Sequence, residues 1–466
     1  MSTHSRRIAP GRGWTRKRVL IAAGVVVGVA AVVAATSVAL RATASDPADP
    51  VAVTVPVALS SVSVPKDTRI GVIVTLGGSA EGSEWNMAAQ GARVAQQRQA
   101  LGGTTVDLVS EDDHGTPDGG KEAVRRLVGR GVSGIVIASS GAHLSGAVAA
   151  ASAAGVPVIL PYAPLPSSDA KAEGGWTFAP TAKAEREALT KAVGAARHPL
   201  HIDEGPGLPD GFAEVDRIAL QQGGDLQALA VEVARRTEAD TTTNGAYLGV
   251  PAKEETSPER QPGTANDVII VSGAPGQQAA IVRALQSRNI GVPIVLTGSA
   301  TGPAFAAALA AQGGSVAAGL QTVGAAWGDA TALDATAAGR RMSAFLAGNR
   351  LLAQDSGAKN LTGDAAFATV ASAADARSHD AVLSLVRAVS AADSKDPGRV
   401  ASALGDSTLG PQNGGAGPKL DFSRPSALAG PVAPLAASGQ DLALRPAAAG
   451  GAGGLSLVWF PGPSRR

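Results

Sequence analysis

Residues 134–142, GIVIASSGA, and residues 153–163, AAGVPVILPYA, hold two apolar runs separated by a segment of helical length. The same arrangement recurs in DVIIVSGAPG at 267–276 and NIGVPIVLTGSA at 289–300, with Gly-Val-Pro again leading into the second run. A strand–helix–strand unit that occurs twice indicates two similar lobes in one chain. Because such crossovers are right-handed and join parallel strands, each unit is predicted to lie in a parallel sheet.

The apolar runs are continuous rather than alternating, as in RIGVIVTLGGS, which starts at Arg69. Continuous runs indicate strands that are covered on both faces, which is typical of parallel sheets. Strands and helices alternate through Val106–Ser110, Gly119–Val128 and Val156–Leu160, so the sequence predicts an α/β fold. In open sheets of this kind ligands bind outside the carboxyl ends of the strands. The cleft between the two lobes is therefore the predicted site.

A short cluster of polar residues, Glu111 to His114, follows the strand in VDLVSEDDHGTPDGGKEAVRRLV at 106–128. Side chains at consecutive loop positions cannot all point at one metal ion. Thr116 is a suitable N-cap residue for the next helix, and Pro117 suits its first position. The cluster is therefore interpreted as a solvated strand-to-helix loop, and no metal site is predicted.

The composition excludes several classes of function. The 466 residues include 40 basic and 39 acidic side chains, and a net charge of +1 provides no basic surface for nucleic acid. The absence of cysteine excludes disulfides, thiolate metal sites, cysteine nucleophiles and a lipid-modified cysteine. The chain contains neither G-x-S-x-G nor H-E-x-x-H, and its six histidines are scattered. We therefore expect neither an enzyme nor a cofactor.

The N-terminal region predicts export. Val19–Leu40 carries no charge and follows the basic residues 1–18, and about 20 apolar residues suffice to cross a bilayer as a helix. The positive-inside rule then predicts a single-pass anchor in the cell membrane, followed outside the cytoplasm by an extended tether over residues 41–68. A cleaved signal peptide remains the alternative, because Ala42-Thr43-Ala44 resembles a cleavage site. Sequencing the N-terminus of the mature protein distinguishes the two.

Nine segments of the chain occur in the order known from one family of transport receptors. They are IGVIVTLGG with GARVAQQ, VDLVSEDDHGTPDGGKEAVRRLV, GIVIASSGAHLSGAVAAASAAGVPVILPYA, WTFAPT, DVIIVSGAPGQQAAIVRALQSRNIGVPIVLTGS, SHDAVLSLVRAVSAADSKDPGRVASAL, GPKLDF and LSLVWFPG. Together they resemble the type I periplasmic solute-binding proteins, in particular the leucine/isoleucine/valine-binding branch. The resemblance spans residues 69–461.

This resemblance implies a two-lobed fold of the type I periplasmic-binding-protein kind, with three hinge crossovers and lobes that close on a small ligand. Carried onto this chain, the crossovers lie near Phe178–Thr181, Ala326–Gly328 and Leu409–Pro411. Lobe one then comprises about residues 69–178 and 329–409. Lobe two comprises about residues 179–328 and 410–461.

Candidate ligand-binding residues come from the loops at the carboxyl ends of the predicted strands. Serine hydroxyls and exposed backbone amides there can hold neutral or anionic groups, and aromatic rings can supply apolar contacts. The predicted set is Ser79, Trp85, Ser139, Ser140, Tyr162 and Ala163 in lobe one, with Asp203, Glu204, Ser272, Ala274 and Ser299 in lobe two. Ser139 and Ser140 match the serines by which relatives hold a ligand carboxylate; capping of the next helix is the alternative.

Two departures from the family pattern bear on the ligand. Ser299 stands where amino-acid-binding relatives carry the acid that pairs with the ligand ammonium, and Ala274 stands where they carry an aromatic wall. An ammonium group in a closed cleft needs an opposite charge, and only Asp203 or Glu204 offers one in these loops. We therefore expect a small polar solute that is neutral or carries one carboxylate, rather than an ordinary amino acid.

The sequence thus predicts an exported, membrane-tethered binding protein that delivers a small solute to an ABC-type permease. A membrane-tethered sensor that signals to a partner protein without transport is the alternative from another class. Residues 236–266 are polar and Pro-rich and are predicted to form a surface insertion.

Overall fold

The computed structural model describes residues 56–78, 80–166, 174–205, 207–213, 215–221, 223–239, 265–288, 290–316, 319–447 and 456–462. The predicted anchor Val19–Leu40, the candidate Ser79 and most of the 236–266 segment lie outside these residues. Within the described ranges, no helix has the length and apolar character needed to cross a membrane.

The first lobe is built on a five-stranded sheet in the order β2-β1-β3-β4-β5, in which every pair is parallel. Its strands are β1 (Arg69–Val74), β2 (Asp107–Asp112), β3 (Ile135–Ile137), β4 (Val158–Leu160) and β5 (Gly175–Thr177). Between them run the helices α1 (Gly91–Leu101), α2 (Pro117–Gly129) and α3 (Leu144–Ala153).

The second lobe is built on a seven-stranded sheet in the order β14-β13-β10-β9-β8-β6-β7. The strands β6 (Pro199–Glu204), β7 (Asp216–Ala219), β8 (Val268–Gly273), β9 (Ile294–Leu296) and β10 (Leu320–Gly324) are parallel. The strands β13 (Ala433–Ser438) and β14 (Val458–Pro461) join antiparallel at one edge. The helices are α4 (Ala182–Val193), α5 (Leu226–Arg236), α6 (Pro275–Gln286) and α7 (Pro303–Ala311).

The repeated sequence unit corresponds to β3-α3-β4 in the first sheet and β8-α6-β9 in the second, each a pair of adjacent parallel strands. All residues of these strands are buried, as the continuous apolar runs predict. The predicted two-lobed α/β architecture with mainly parallel sheets is therefore confirmed. The helix after the acidic cluster also begins as predicted, because the Thr116 hydroxyl accepts a hydrogen bond from the amide of Gly119 and Pro117 is the first helical residue.

A helical segment between the two halves of the second sheet packs against the first lobe. It contains α8 (Ala337–Gln354), α9 (Ala376–Ala392) and α10 (Pro397–Gly405), followed by the short antiparallel strands β11 (Thr408–Leu409) and β12 (Leu420–Asp421). Side chains of α8 and α9 share a hydrophobic core with β1 and α1. Ala416, Leu420 and Phe422 join the same core, although the predicted boundary near residue 410 placed them with the second lobe.

Aromatic residues pack near the first two predicted crossovers. The ring of Phe178 stacks on Trp327 with centroids 5.7 Å apart and an interplanar angle of 12°. The indole of Trp176 donates a hydrogen bond of 2.7 Å to the carbonyl of Phe422. These contacts connect the chain where it leaves the first sheet with the chain where it returns from the second.

Part of the predicted tether packs against the first lobe. Leu59 is buried, and its amide donates a 2.9 Å hydrogen bond to the carbonyl of Arg98. The Arg98 guanidinium in turn donates to the carbonyl of Val57 at 2.8 Å. Residues 57–62 therefore pack against α1 through hydrogen bonds. This corrects the prediction that they belong to an extended tether.

A buried polar network joins the loops that follow the first three strands. The Thr75 hydroxyl donates to the Asp113 carboxylate at 2.7 Å and lies 2.6 Å from the Ser139 hydroxyl. His143 Nε2 lies 3.2 Å from the other Asp113 oxygen, and its Nδ1 lies 3.5 Å from the Glu81 carboxylate. Asp113 is thus fully buried, which corrects its interpretation as part of a solvated loop.

The charge of His143 follows from this network. Burial disfavours the imidazolium, but hydrogen bonds and charges from Asp113 and Glu81 outweigh burial and raise the pKa of His143 above its ordinary value. A histidine whose pKa is raised on folding stabilises the protein fully below its unfolded pKa of about 6.5. That contribution is lost as the pH rises through the folded pKa.

The His143→Gln variant should therefore lose most stability in acid. We expect its free energy of unfolding to fall by roughly 1.5–3 kcal/mol near pH 5.5, the range for hydrogen bonds to charged groups, and by less near pH 8. Denaturant titrations across this pH range measure the difference. His198→Gln is the control, because His198 is exposed. A deficit in His143→Gln that stays constant with pH would contradict the assigned charge.

Candidate functional site

Two predicted aromatic residues lie together at the carboxyl ends of the first lobe's strands. Trp85 ends a short 3-10 helix, Ser83–Trp85, after β1, and Tyr162 follows β4. Their rings stack with centroids 4.5 Å apart and an interplanar angle of 14°. The indole N–H of Trp85 donates to the Ser140 hydroxyl at 2.8 Å. Trp85 is only 2% exposed, so its ring is packed rather than open to solvent.

A cation that the sequence analysis missed completes this cluster. The Arg377 guanidinium lies 5.5 Å from the Trp85 ring centroid and 5.1 Å from that of Tyr162, within the range of cation–π attraction. Asp375, the N-cap residue of α9, accepts hydrogen bonds from Arg377 Nε at 3.0 Å and Nη2 at 2.9 Å. Burial lowers the pKa of Arg377, but the charge and hydrogen bonds of Asp375 raise it above its ordinary value.

The same cluster contacts the second lobe. Arg377 Nη1 lies 3.5 Å from the Thr301 hydroxyl, and a Cβ atom added to Gly302 would overlap the six-membered ring of Trp85. Thr301 belongs to the 3-10 turn Gly298–Thr301 after β9, and Gly302 is the N-cap residue of α7. The aromatic and cationic groups of lobe one therefore meet a backbone surface of lobe two.

The two serines predicted to hold a ligand are engaged within the first lobe. Ser139 is fully buried in the Thr75–His143 network, and Ser140 accepts the Trp85 indole N–H. Neither caps the following helix, because the N-cap residue of α3 is His143. Ala163 is also buried, and its carbonyl accepts the Thr177 hydroxyl at 2.6 Å.

Asp203 already has a cationic partner. Its carboxylate forms an ion pair with Arg217 and accepts hydrogen bonds from the Ser272 hydroxyl at 2.8 Å and the Gly205 amide at 3.1 Å. Burial raises the pKa of Asp203, but these bonds outweigh it and the pKa lies below its ordinary value. His201 Nε2 lies 2.8 Å from the same Ser272 hydroxyl.

The remaining predicted residues of lobe two line the neighbouring loops. The Ser299 hydroxyl donates to the Gly273 carbonyl at 2.9 Å and accepts from Gln278. Ala274 is the N-cap residue of α6, and the Gln277 side chain satisfies its amide. Glu204 is half-buried, and burial raises its pKa.

A second charged residue was missed because it lies on a helix. Glu185 in the first turn of α4 is half-buried, and its carboxylate accepts the Gly298 amide at 3.5 Å. Burial raises the pKa of Glu185, whereas the Gly298 amide lowers it by a smaller amount. Among the described residues no Lys, Arg or His forms an ion pair with Glu185. The turn Gly298–Thr301 thus has an unpaired acid at its first residue and the Arg377 cation at its last.

Comparison with known proteins identifies the fold and a partial match to one family model. Residues 67–203 match the model of the periplasmic binding protein family. A search of curated protein sequences gave no significant match. Solved structures match most of the chain at low sequence identity.

One such structure is the branched-chain amino acid transporter substrate binding protein LivJ from Streptococcus pneumoniae in complex with isoleucine. Its TM-score is 0.56 at 18% identity, over 80% of this chain and 96% of that one. A leucine binding protein, LivK, from Thermotoga maritima has a TM-score of 0.54 at 16% identity, over 79% and 95%. An ABC transporter substrate-binding protein from Desulfitobacterium hafniense in complex with Leu has a TM-score of 0.54 at 17% identity, over 80% and 97%.

The resemblance predicted from the sequence is confirmed by these matches. The chain has the two-lobed fold of the type I periplasmic binding proteins, and residues 67–203 match the model of that family.

Proposed function

We propose that the protein binds a small amino-acid-like zwitterion between its lobes, outside the cytoplasm, and delivers it to an ABC-type importer. The observation that carries this proposal is the pair of opposite charges at the two ends of the turn Gly298–Thr301. Arg377 approaches Thr301 from the first lobe, and Glu185 approaches Gly298 within the second. The protein is on this view a binding protein and not an enzyme.

Arg377 suits the carboxylate of such a solute. Two of its three guanidinium nitrogens are committed to Asp375, and Nη1 makes only the 3.5 Å contact with Thr301. A contact of that length is at the limit of a hydrogen bond, so a ligand oxygen can replace it at small cost. Charge-assisted bonds from arginine to carboxylate are the stronger class. Trp85 is packed beside the guanidinium in this structure, and separation of the lobes would uncover it, next to Tyr162, for an aliphatic side chain.

Glu185 suits the ammonium group. An ammonium taken out of water needs an opposite charge, and Ser299 cannot provide one. Glu185 lies next to Ser299 in space through its contact with Gly298. Its raised pKa reflects a carboxylate that burial has left without a cation. Glu185 therefore replaces Asp203 and Glu204 as the proposed acid, and it reopens the amino-acid class that the sequence alone disfavoured.

The relatives support the solute class. The Streptococcus pneumoniae protein was solved with isoleucine and the Desulfitobacterium hafniense protein with leucine. A sensor remains the second candidate, since ligand binding by the same cleft serves either role. We place the domain outside the cytoplasm, tethered through Val19–Leu40, and the lobe boundaries near residues 178 and 328 are part of the same proposal, with the third boundary after Phe422.

The Glu185→Gln variant tests the solute class. Its affinity for the best-binding amino acid, found by a thermal-shift screen and measured by calorimetry, should fall by about tenfold or more, as expected for a lost charge-assisted bond of at least ~1.4 kcal/mol. Affinity for the matching carboxylic acid without the amino group should change little. Wild-type affinity for the amino acid should weaken as the pH falls through the raised pKa of Glu185, and this dependence should vanish in the variant.

Glu187→Gln is the matched control, because Glu187 lies on the same helix, is exposed and contacts only Lys183 among the described side chains. Equal losses in the two variants would show a general charge effect. Unchanged affinity in Glu185→Gln would remove this residue from the site.

The Gly302→Ala variant tests whether the lobes close over Trp85. An added Cβ would overlap the indole ring, so the closed arrangement should be disfavoured and the affinity for every bound solute should fall several-fold. Gly276→Ala is the control, because nothing lies within 4 Å of a Cβ at that position. Calorimetry measures affinity and small-angle scattering measures closure. Wild-type affinity and closure in Gly302→Ala would mean that binding does not need this contact.

Transport and sensing differ in a cellular assay. If the protein serves an importer, deleting it should reduce uptake of the radiolabelled solute at concentrations near its Kd, and Glu185→Gln should not restore that uptake. Normal uptake after deletion, with an altered transcriptional response to the solute, would favour the sensor.

A further inference from the structure

A cavity of about 160 Å³ lies away from the lobe interface. It is enclosed by the N-terminal segment at Leu59–Val62, the end of α1, the helices α8 and α9, and the loop at 412–414. Because α1 runs back from the carboxyl ends of the strands, its last residues are at the opposite end of the first sheet from Trp85. The cavity is therefore separate from the proposed solute site.

Gln99 is an unexplained polar residue in the cavity wall. Its side chain is 2% exposed, and neither its amide oxygen nor its amide nitrogen has a hydrogen-bond partner among the described residues. Buried polar groups are nearly always hydrogen-bonded, so an orphaned amide indicates a missing partner. Gln99 is one of the residues that line the cavity.

Two arginines also line the cavity and bring a positive charge. Arg341 on α8 and Arg387 on α9 are both half-buried, and no carboxylate of the described chain forms an ion pair with either. Arg341 Nε donates to the Pro411 carbonyl at 2.7 Å, which leaves its other nitrogens uncommitted in the described residues.

The surroundings do not neutralise these arginines. Arg98, adjacent to Gln99 in sequence, is fully buried. Burial lowers its pKa to about 10, with Asp380 raising it and Arg341 lowering it by smaller amounts. The Asp380 carboxylate is itself occupied by His379 and by the amides of Ala416 and Gly417. Asp380 is thus engaged by groups other than the two cavity arginines.

We propose that this cavity binds a small oxyanion through Arg341, Arg387 and the Gln99 amide. The planar guanidinium group of arginine can donate two parallel hydrogen bonds to carboxylate or phosphate oxygens. The Gln99 side-chain nitrogen supplies a further donor that has no acceptor among the described residues. The cavity has room for about five water molecules at roughly 30 Å³ each. It is smaller than the about 300–1,000 Å³ of sites for drug-sized ligands, so the bound anion is the size of phosphate, sulfate or acetate. An anion there would also hold the Leu59–Val62 segment against the lobe.

The test uses the full-length protein with inorganic phosphate, sulfate and acetate in separate titrations at constant ionic strength set by sodium chloride. At least one anion should raise the melting temperature in a saturable manner, since a ligand that binds only the folded state stabilises it. Acetate as the best ligand would identify a carboxylate site, and phosphate or sulfate a tetrahedral-anion site. Arg387→Gln should weaken the apparent affinity by about tenfold, the effect of one lost charge-assisted bond.

Gln99→Met is the sharper variant, because it removes an unpaired polar group while keeping the side-chain length. The anion-free variant should be at least as stable as the wild type, yet its response to the anion should be lost. Arg350→Gln is the control for net charge, since Arg350 lies exposed on the same helix as Arg341. Solute binding at the lobe interface is measured in parallel and should be unchanged.

Three results would overturn the proposal. The first is a wild type that responds to none of the three anions, in which case the cavity holds water only. The second is a wild-type response retained in both Gln99→Met and Arg387→Gln. The third is an equal loss in Arg350→Gln, which would mark non-specific screening. None of these results bears on Glu185, so the proposed function is judged independently.

Discussion

The ion pair between Arg377 and Asp375 is the interaction on which the lobe interface depends. Both residues are less than a tenth exposed, and a buried charge is tolerated only when it is paired and hydrogen-bonded. Arg445 stabilises the segment that precedes Asp375, because it donates hydrogen bonds to the carbonyls of Ser372 and Ala374. The charge of Arg445 is balanced by Asp329. The C-terminal region thereby fixes the turn that presents Asp375. Once fixed, the guanidinium can lie over the two aromatic rings and face lobe two.

The architecture was predictable because its signals are local. A continuous apolar run such as β8 is recognisable within six residues, and a capping threonine followed by proline marks a helix start within two. The repeat of the strand–helix–strand unit then determines the second lobe from the first. None of these inferences requires knowledge of which distant residues meet.

The candidate site was predictable only in part, because its chemistry depends on contacts between residues that are distant in the sequence. The strand-end loops pointed to Trp85 and Tyr162, which the structure brings together, whereas Ser139 and Asp203, predicted to contact a ligand, already bond to Thr75 and Arg217. Thr75 follows β1 and Arg217 lies in β7, so the sequence around Ser139 or Asp203 contains no sign of either partner. Arg377 and Glu185 were missed for a related reason, because both lie in the first turns of helices and not in strand-end loops.

The burial of Trp85 has a consequence for measurement. Among the indoles in the described chain, Trp176 donates to the Phe422 carbonyl, Trp327 stacks on Phe178 and Trp459 donates to the Ala300 carbonyl. The Trp85 ring instead lies against Gly302 of the other lobe. Separation of the lobes would expose that ring to water, while the Arg377 cation of the same lobe would stay beside it. Its fluorescence emission is therefore tied to the distance between the lobes, so the protein carries an intrinsic optical probe of its own opening.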